Sequence, residues 1–164
     1  MVVFTAGLKP SAIVGELNLP KDMFGRIKVS RTLQTLKYPE VFALGDCATV
    51  ENVSLPSTAQ VAMQQSEIVA SNLGLRYNHL VNSISEPKSY MLSKYSYYPL
   101  GSMLSLGAKN AAINSLDDNL KLDGLPASVG RRLVYSLRMP TQNQQFTALV
   151  SSVSSIIGKS LKKN

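Results

Sequence analysis

The sequence predicts an α/β fold, and two neighbouring segments carry that prediction. Residues Val41-Phe42-Ala43-Leu44 form an apolar run rich in strand formers, and it stops abruptly at Gly45-Asp46. Such a run suits a buried parallel strand whose carboxyl end meets a ligand. Gly45 lets another group approach the backbone closely. Asp46 is an acceptor-only carboxylate, matched to the hydroxyls of a sugar or ribityl chain. Taken alone, the run reads more simply as a strand ending in a Gly-Asp turn. The second segment shifts the balance toward a ligand site: Pro56-Ser57-Thr58-Ala59-Gln60-Val61-Ala62-Met63-Gln64 reads as a loop opening a helix.

The elements follow in order. Val2 to Thr5 reads as a strand closed by Gly7 and Pro10, and Ser11 to Leu19 as a short helical turn or loop. Arg26-Ile27-Lys28-Val29 alternates and fits a short exposed strand. Ser57 to about Leu73 is a helix, with Ser57 as N-cap and Gln60 as its capping-box partner. Val61, Ile68, Val69 and Leu73 share its apolar face, and Gln65, off the face shared by Gln60 and Gln64, reads as solvated. Residues 75–94 are polar and weakly patterned, and read as a loop. Leu100 to Leu106 and Asn110 to Ile113 read as a strand hairpin around Gly107, and Asp117-Asp118-Asn119 as a turn. A helix from Pro126 to about Leu137 follows, with Pro126 in its first turn and Pro140 beyond its end. A last helix runs from about Gln142 to Lys162.

Composition sets bounds. The 164 residues suit one domain with a real core, and 45% hydrophobic with 16% charged residues is a globular balance. The lone Cys47 excludes an internal disulfide and a C-x-x-C redox pair, and reads as a small packing residue. The lone His79 reads as a surface residue, and without a Cys/His cluster no metal is expected. No stretch of 18 apolar residues exists. Charge is uneven: residues 125–164 hold Arg131, Arg132, Arg138, Lys159, Lys162 and Lys163 and no acid, which accounts for six of the seven net positive charges. A segment of this kind seeks phosphate. The usual marks of nucleic-acid binding are missing, so lipid headgroups are the expected source.

The order and spacing of these motifs resemble a known family. Gly45-Asp46 followed by Ala59-Gln60-x-Ala62-x-Gln64 resembles the second flavin-binding motif of the type II, or alternative, NAD(P)H:quinone dehydrogenases, within the pyridine nucleotide-disulfide oxidoreductase superfamily. Tyr97-x-x-x-Gly101-x-Met103-x-x-Leu106-Gly107-x-x-x-Ala111-Ala112-Ile113 is similar to the segment that follows the flavin domain. Arg131-Arg132-Leu133-x-Tyr135-x-x-Arg138-Met139-Pro140-Thr141 is similar to the plastid C-type branch and its cyanobacterial relatives, which reduce prenylated quinones including a vitamin K precursor. The resemblance implies the C-terminal part of a two-dinucleotide-binding-domain flavoprotein fold: an incomplete FAD domain over residues 1–96, a strand hairpin over 97–124 and basic amphipathic helices over 125–164. It implies FAD as cofactor, NAD(P)H as co-substrate bound elsewhere, and a membrane quinone as acceptor.

The resemblance also assigns residues. Gly45, Asp46, Thr58, Ala59, Gln60 and Val61 would contact FAD, Asp46 through the ribityl chain and the helix start through the flavin's pyrimidine edge. Gln60 and Gln64 share a helix face and would line the quinone site. No acid, base or nucleophile is singled out as catalytic, as expected where a cofactor carries the electrons. The main departure is that no G-x-G occurs among the ten glycines, so neither nucleotide-binding glycine loop is present. The sequence therefore reads as the C-terminal portion of a longer reductase, inactive by itself. The alternative is a catalytically incomplete truncated paralogue acting as a membrane-surface interaction module.

In the last helix Phe146, Leu149, Val150, Val153, Ile156, Ile157 and Leu161 recur on one face, closed by Lys159, Lys162 and Lys163. Such a stripe suits the plane of a membrane surface. Its rival partners are the protein's own core and a second copy in a homodimer. The branch resemblance implies a plastid peripheral membrane location, with the mitochondrial inner membrane surface as the alternative.

Overall fold

The computed structural model describes residues 2–4, 7–81, 91–107, 110–115, 121–139 and 141–160, apart from the side chains of 152, 153 and 155–160. They form two compact units that divide between Tyr98 and Pro99.

The first unit contains helix α1 (Ala12–Glu16), strand β1 (Ile27–Val29), a 3-10 turn at Gly45–Cys47, strand β2 (Ala48–Val50) and helix α2 (Ala59–Val81). β1 and β2 pair in parallel, Ile27 opposite Ala48 and Val29 opposite Val50. The expectation of an exposed strand at Arg26–Val29 is corrected: Ile27 and Val29 are buried, and β1 is the partner of the parallel pair. Two hydrophobic side chains at alternate positions are enough to bury one face of so short a strand.

The run Val41–Leu44 does not form the expected buried parallel strand. It turns back on residues 33–35: Ala43 N–H donates to Leu33 C=O at 3.1 Å and Thr35 N–H to Val41 C=O at 2.8 Å, an antiparallel arrangement. Thr35 causes the reversal, because its buried hydroxyl donates to Tyr38 C=O at 2.8 Å and closes a turn ahead of Pro39. Within the run Ala43 is buried and Val41 is exposed. The residues after Gly45-Asp46, not those before, supply β2.

Val2, Val3 and Phe4 form no strand and are exposed, and Thr5 lies outside the described residues. The core of this unit gathers Val14, Ile27, Val29, Leu33, Val50, Val61, Val69 and Tyr95. Leu33 is fully buried at φ +66°, a left-handed conformation that costs a non-glycine residue free energy and persists where the surroundings fix it.

Helix α2 is longer than the pattern predicts. It starts at Ala59, reaches Val81 and takes up part of the expected 75–94 loop. Its cap is Thr58, whose Oγ1 accepts from Val61 N–H at 3.4 Å, so Ser57 is one residue too early. Its inner face holds Val61, Gln65, Val69 and Asn72, whereas Leu73 is 46% exposed. The spacing of four, four and three is regular for a helix, but two of the four residues are amides. Asn72, fully buried, donates from Nδ2 to Thr32 C=O at 3.1 Å and to Ser93 C=O at 3.0 Å, and accepts from Ser93 N–H at 2.8 Å.

The second unit contains β3 (Ser102–Ser105), β4 (Ala111–Asn114), β5 (Lys121–Asp123), α3 (Gly124–Leu137) and α4 (Gln142–Ser160). β3 and β4 form the expected hairpin, and β5 adds an unexpected third antiparallel strand on β4. The expected turn at Asp117–Asn119 lies outside the described residues. Gly101 needs to be glycine: φ is +89°, and a Cβ there would stand 2.5 Å from Asn114 C=O.

α3 presents its small residues inward. Ala127, Ser128 and Ser136 are buried, and Gly130 sits against Ile113 of β4. Leu125, Val129, Leu133, Tyr135 and Leu137 are 41–58% exposed. α4 packs on α3 and is capped by Thr141, whose hydroxyl accepts from Gln144 N–H at 3.3 Å. The Gln145 amide donates to the last carbonyl of α3, that of Leu137, at 3.3 Å and to Met139 C=O beyond it at 3.0 Å. Among the described residues no helix is long and apolar enough to cross a membrane.

Asn72→Ala leaves three part-buried backbone groups without this partner and should destabilise the chain by about 1–3 kcal/mol. Urea unfolding followed by circular dichroism checks this, and an unchanged midpoint would show that the Thr32 and Ser93 segments are held by something else.

Candidate functional site

The Gly45–Cys47 turn, the start of β2, the 55–58 loop and the first turn of α2 line one open cleft. Gly45 lies at φ +69°, and a Cβ there would reach 3.4 Å from the Ala62 Cβ. Glycine thus allows both the turn geometry and the close approach of α2. Asp46 follows it, exposed, and also lines the cleft. Thr58 and Val61 line the cleft too, while Ala59 is exposed in the same first turn.

The turn is fixed from below by a residue that the sequence pattern misassigned. Gln65 is not solvated: it is 2% exposed, and its Oε1 accepts from Gly45 N–H at 2.7 Å. The expected apolar face missed it because hydrophobicity alone cannot flag a buried amide. The signal available was position, since Gln65 stands four residues from Val61 and four from Val69.

Gln60 and Gln64 share one helix face, as expected, and both are tied to a later segment. Gln60 Oε1 accepts from the Tyr97 hydroxyl at 3.2 Å. Gln64 Nε2 donates to Tyr98 C=O at 2.6 Å while its Oε1 accepts from Tyr98 N–H at 3.0 Å. The Gln64 amide therefore pairs with Tyr98 as a neighbouring strand would. Tyr95 closes the base of this segment: it is 5% exposed, its N–H donates to Arg31 C=O at 2.7 Å, and burial together with the nearby Tyr97 raises its phenol pKa.

Arg26 also lines the cleft and was not singled out by its sequence context. Its Nε donates to Asp22 Oδ2 at 2.8 Å, and its Nη2 lies 2.7 Å from the same oxygen. Asp22 Oδ1 accepts from the backbone N–H groups of Phe24 and Arg26, each at 2.9 Å. Partial burial raises the Asp22 pKa, but the Arg26 and Phe24 contacts outweigh it and leave the pKa lowered. The contribution of this lock to stability is therefore present above the ordinary carboxylate range and lost as pH falls through the lowered value.

Cys47 is half-buried and free, and its thiol donates to Leu44 C=O at 3.1 Å. His79 is half-buried near the end of α2. Among the described residues no group of three His, Cys, Asp or Glu could hold a metal ion. Of the expected membrane-facing residues, Phe146 and Val150 are exposed and Leu149 is half-buried. The side chains of Val153, Ile156, Ile157 and Lys159, and residues Pro140, Leu161, Lys162 and Lys163, lie outside what is described.

Residues 1–66 match the family described as pyridine nucleotide-disulphide oxidoreductase. Over 99% of its length the chain is 34% identical to the demethylphylloquinone reductase NdbB of Synechocystis, of which it spans 38%. The chain is a relative of the type II NAD(P)H:quinone oxidoreductases. It is 31% identical over 92% of its length to the alternative NAD(P)H-ubiquinone oxidoreductase C1 of Arabidopsis thaliana, described as chloroplastic/mitochondrial, of which it spans 29%. Its fold matches NDH2 of Plasmodium falciparum, solved in complex with NADH, with a TM-score of 0.68 at 13% identity, over 92% of this chain and 44% of that one. The chain thus has part of a flavoprotein reductase fold and spans less than half the length of these relatives.

Gln65→Leu should leave the part-buried Gly45 N–H without its partner at a cost of about 1–3 kcal/mol, and loosen the turn that carries Asp46. Amide exchange at Gly45 and Asp46 should accelerate in that variant but not in Gln64→Leu, which should instead free Tyr98. Equal exchange in both variants would remove Gln65 from this role.

Proposed function

We propose that the chain is the flavin- and quinone-side region of an FAD-dependent NAD(P)H:quinone oxidoreductase of the plastid and cyanobacterial type, which passes electrons to a prenylated membrane quinone. The observation that carries this reading is the cleft that unites Gly45, Asp46 and the first turn of α2 over the Gln65 amide. Its donor set fits the ribityl side of a flavin: an exposed carboxylate for hydroxyl protons, a glycine where the backbone is approached, and the positive end of a 23-residue helix. It does not extend to the ADP half, for which the sequence carries no glycine loop. When bound, the flavin supplies the hydride and electron chemistry.

The residues of the chain hold and orient. Asp46 accepts from the ribityl hydroxyls. Thr58, Ala59, Gln60 and Val61 turn backbone donors toward the pyrimidine edge. Gln60 and Gln64 border the quinone side and position Tyr97 and Tyr98 beside it. Residues 1–96 then belong to the flavin domain and 97–124 to the strand segment after it.

Residues 125–164 form the membrane-facing segment. The exposed Leu125, Val129, Leu133 and Leu137 of α3 support this, as do Phe146 and Val150 of α4 and the complete lack of acids from residue 125 onward. The same stripe is what a truncated, non-catalytic membrane-surface module would use.

Isolated chain should bind FAD weakly, and Asp46→Ala should weaken it further through loss of a charge-assisted hydrogen bond worth about 1.5–3 kcal/mol. Undiminished flavin binding in that variant would overturn the role of Asp46. For the membrane surface, the chain should float with vesicles containing anionic lipid. The paired change Leu133→Asp and Leu137→Asp should sharply reduce flotation, since each residue forfeits about 1.5–3 kcal/mol of apolar burial and adds a repelled charge. Flotation equal to wild type would transfer the stripe to a protein partner.

A further inference from the structure

Arg26 has no part in the proposed function as stated, yet it stands on the wall of the same cleft as Asp46. The chain invests unusual local order in its position. Asp22 holds its Nε and Nη2, and also its own backbone N–H. The Phe24 ring lies 5.4 Å from its Cζ, and Gly25 at φ +84° turns the chain so that Asp22 and Arg26 face each other. A guanidinium has five N–H donors. Among the described residues Asp22 is the acceptor that this guanidinium engages, which leaves the Nη1 edge for another group.

Charge decides what that group is. Asp22 already neutralises Arg26, and Asp46 places a second carboxylate on the cleft. An anion would meet a net negative site. A hydroxyl meets no such penalty, because it accepts from a donor-only guanidinium while giving its own proton to an acceptor-only carboxylate. The hydroxyls of Thr49, Ser57 and Thr58 on the same cleft can serve either way.

We infer that Arg26 contacts the ligand directly, donating to hydroxyl oxygens of the polyol chain whose protons Asp46 accepts, and that Asp22 is the positioning residue that aims it. This rests on reading the cleft as the ribityl side of a flavin site.

The test is an NMR-detected titration of the intact chain, which reaches millimolar affinities, with the amides of Gly45 and Asp46 as reporters. The probes are riboflavin, lumiflavin, which has the ring without the polyol, and riboflavin 5′-phosphate. Wild-type chain should prefer riboflavin over lumiflavin by about tenfold, the scale of one charge-assisted hydrogen bond. Arg26→Gln should bring that preference close to unity with lumiflavin binding unchanged, and Asp22→Asn should give an intermediate preference. A full preference retained in Arg26→Gln overturns the inference. So does a parallel loss of both ligands, which would mark Arg26 as structural. A preference for riboflavin 5′-phosphate over riboflavin that disappears in Arg26→Gln would make the partner phosphate and also overturn it. If none of the three binds wild-type chain, the flavin reading of the cleft falls and this inference with it, a result distinct from each of the others.

Discussion

The first unit depends on amides that one long helix holds out to loops. Helix α2 fixes the Gly45 turn through Gln65, Tyr98 through Gln64, and both Thr32 and Ser93 through Asn72. These segments have little regular structure of their own, and backbone bonds such as Ala43 N–H to Leu33 C=O and Tyr95 N–H to Arg31 C=O join them at single points. Their backbone groups would be costly to bury unpaired, so a helix bearing amides at the right spacing replaces the missing sheet. The arrangement also explains how a cleft can be rigid when one of its walls is a loop. The Gly45 N–H, inside the turn that carries Asp46, ends on a side chain that is itself locked in the core.

Much of this was legible in the residues, and the failures share a cause. The Gly45-Asp46 turn, the helix after Thr58, the hairpin around Gly107 and the two C-terminal helices all carry strong local signals of glycine, capping and periodicity. The strand reading of Val41–Leu44 failed because Thr35 and Pro39 set a turn whose effect is to fold the run backwards, and that lies in hydrogen bonds, not in hydropathy. Gln65 and Asn72 were invisible to an apolar pattern because what makes them internal is the pairing they provide. β5 is three residues long, below the length at which alternation can be recognised. In the site, the resemblance supplied Gly45, Asp46 and the glutamines. Arg26 has no motif, and only the geometry of the cleft brings it to view.

Glycine placement separates positions that need freedom from those that need space. Gly45 and Gly101 combine a left-handed backbone with a close neighbour, so any side chain meets both strain and contact. Gly7, Gly25, Gly107 and Gly124 have left-handed backbones with open surroundings, and serve as turns.

The inward face of α3 has a thermodynamic consequence. Among the described residues of the second unit, the buried hydrophobic ones are Ala111 and Ala127, and the other buried residues of α3 are Ser128 and Ser136. Close packing of small groups removes little apolar surface from water, so this unit should melt with a small heat-capacity increment for its size. Leu125, Leu133, Leu137 and Phe146 of this unit remain exposed. Whatever surface covers them therefore adds directly to the folding equilibrium by mass action, and the unit's stability becomes a function of how much of that surface is at hand.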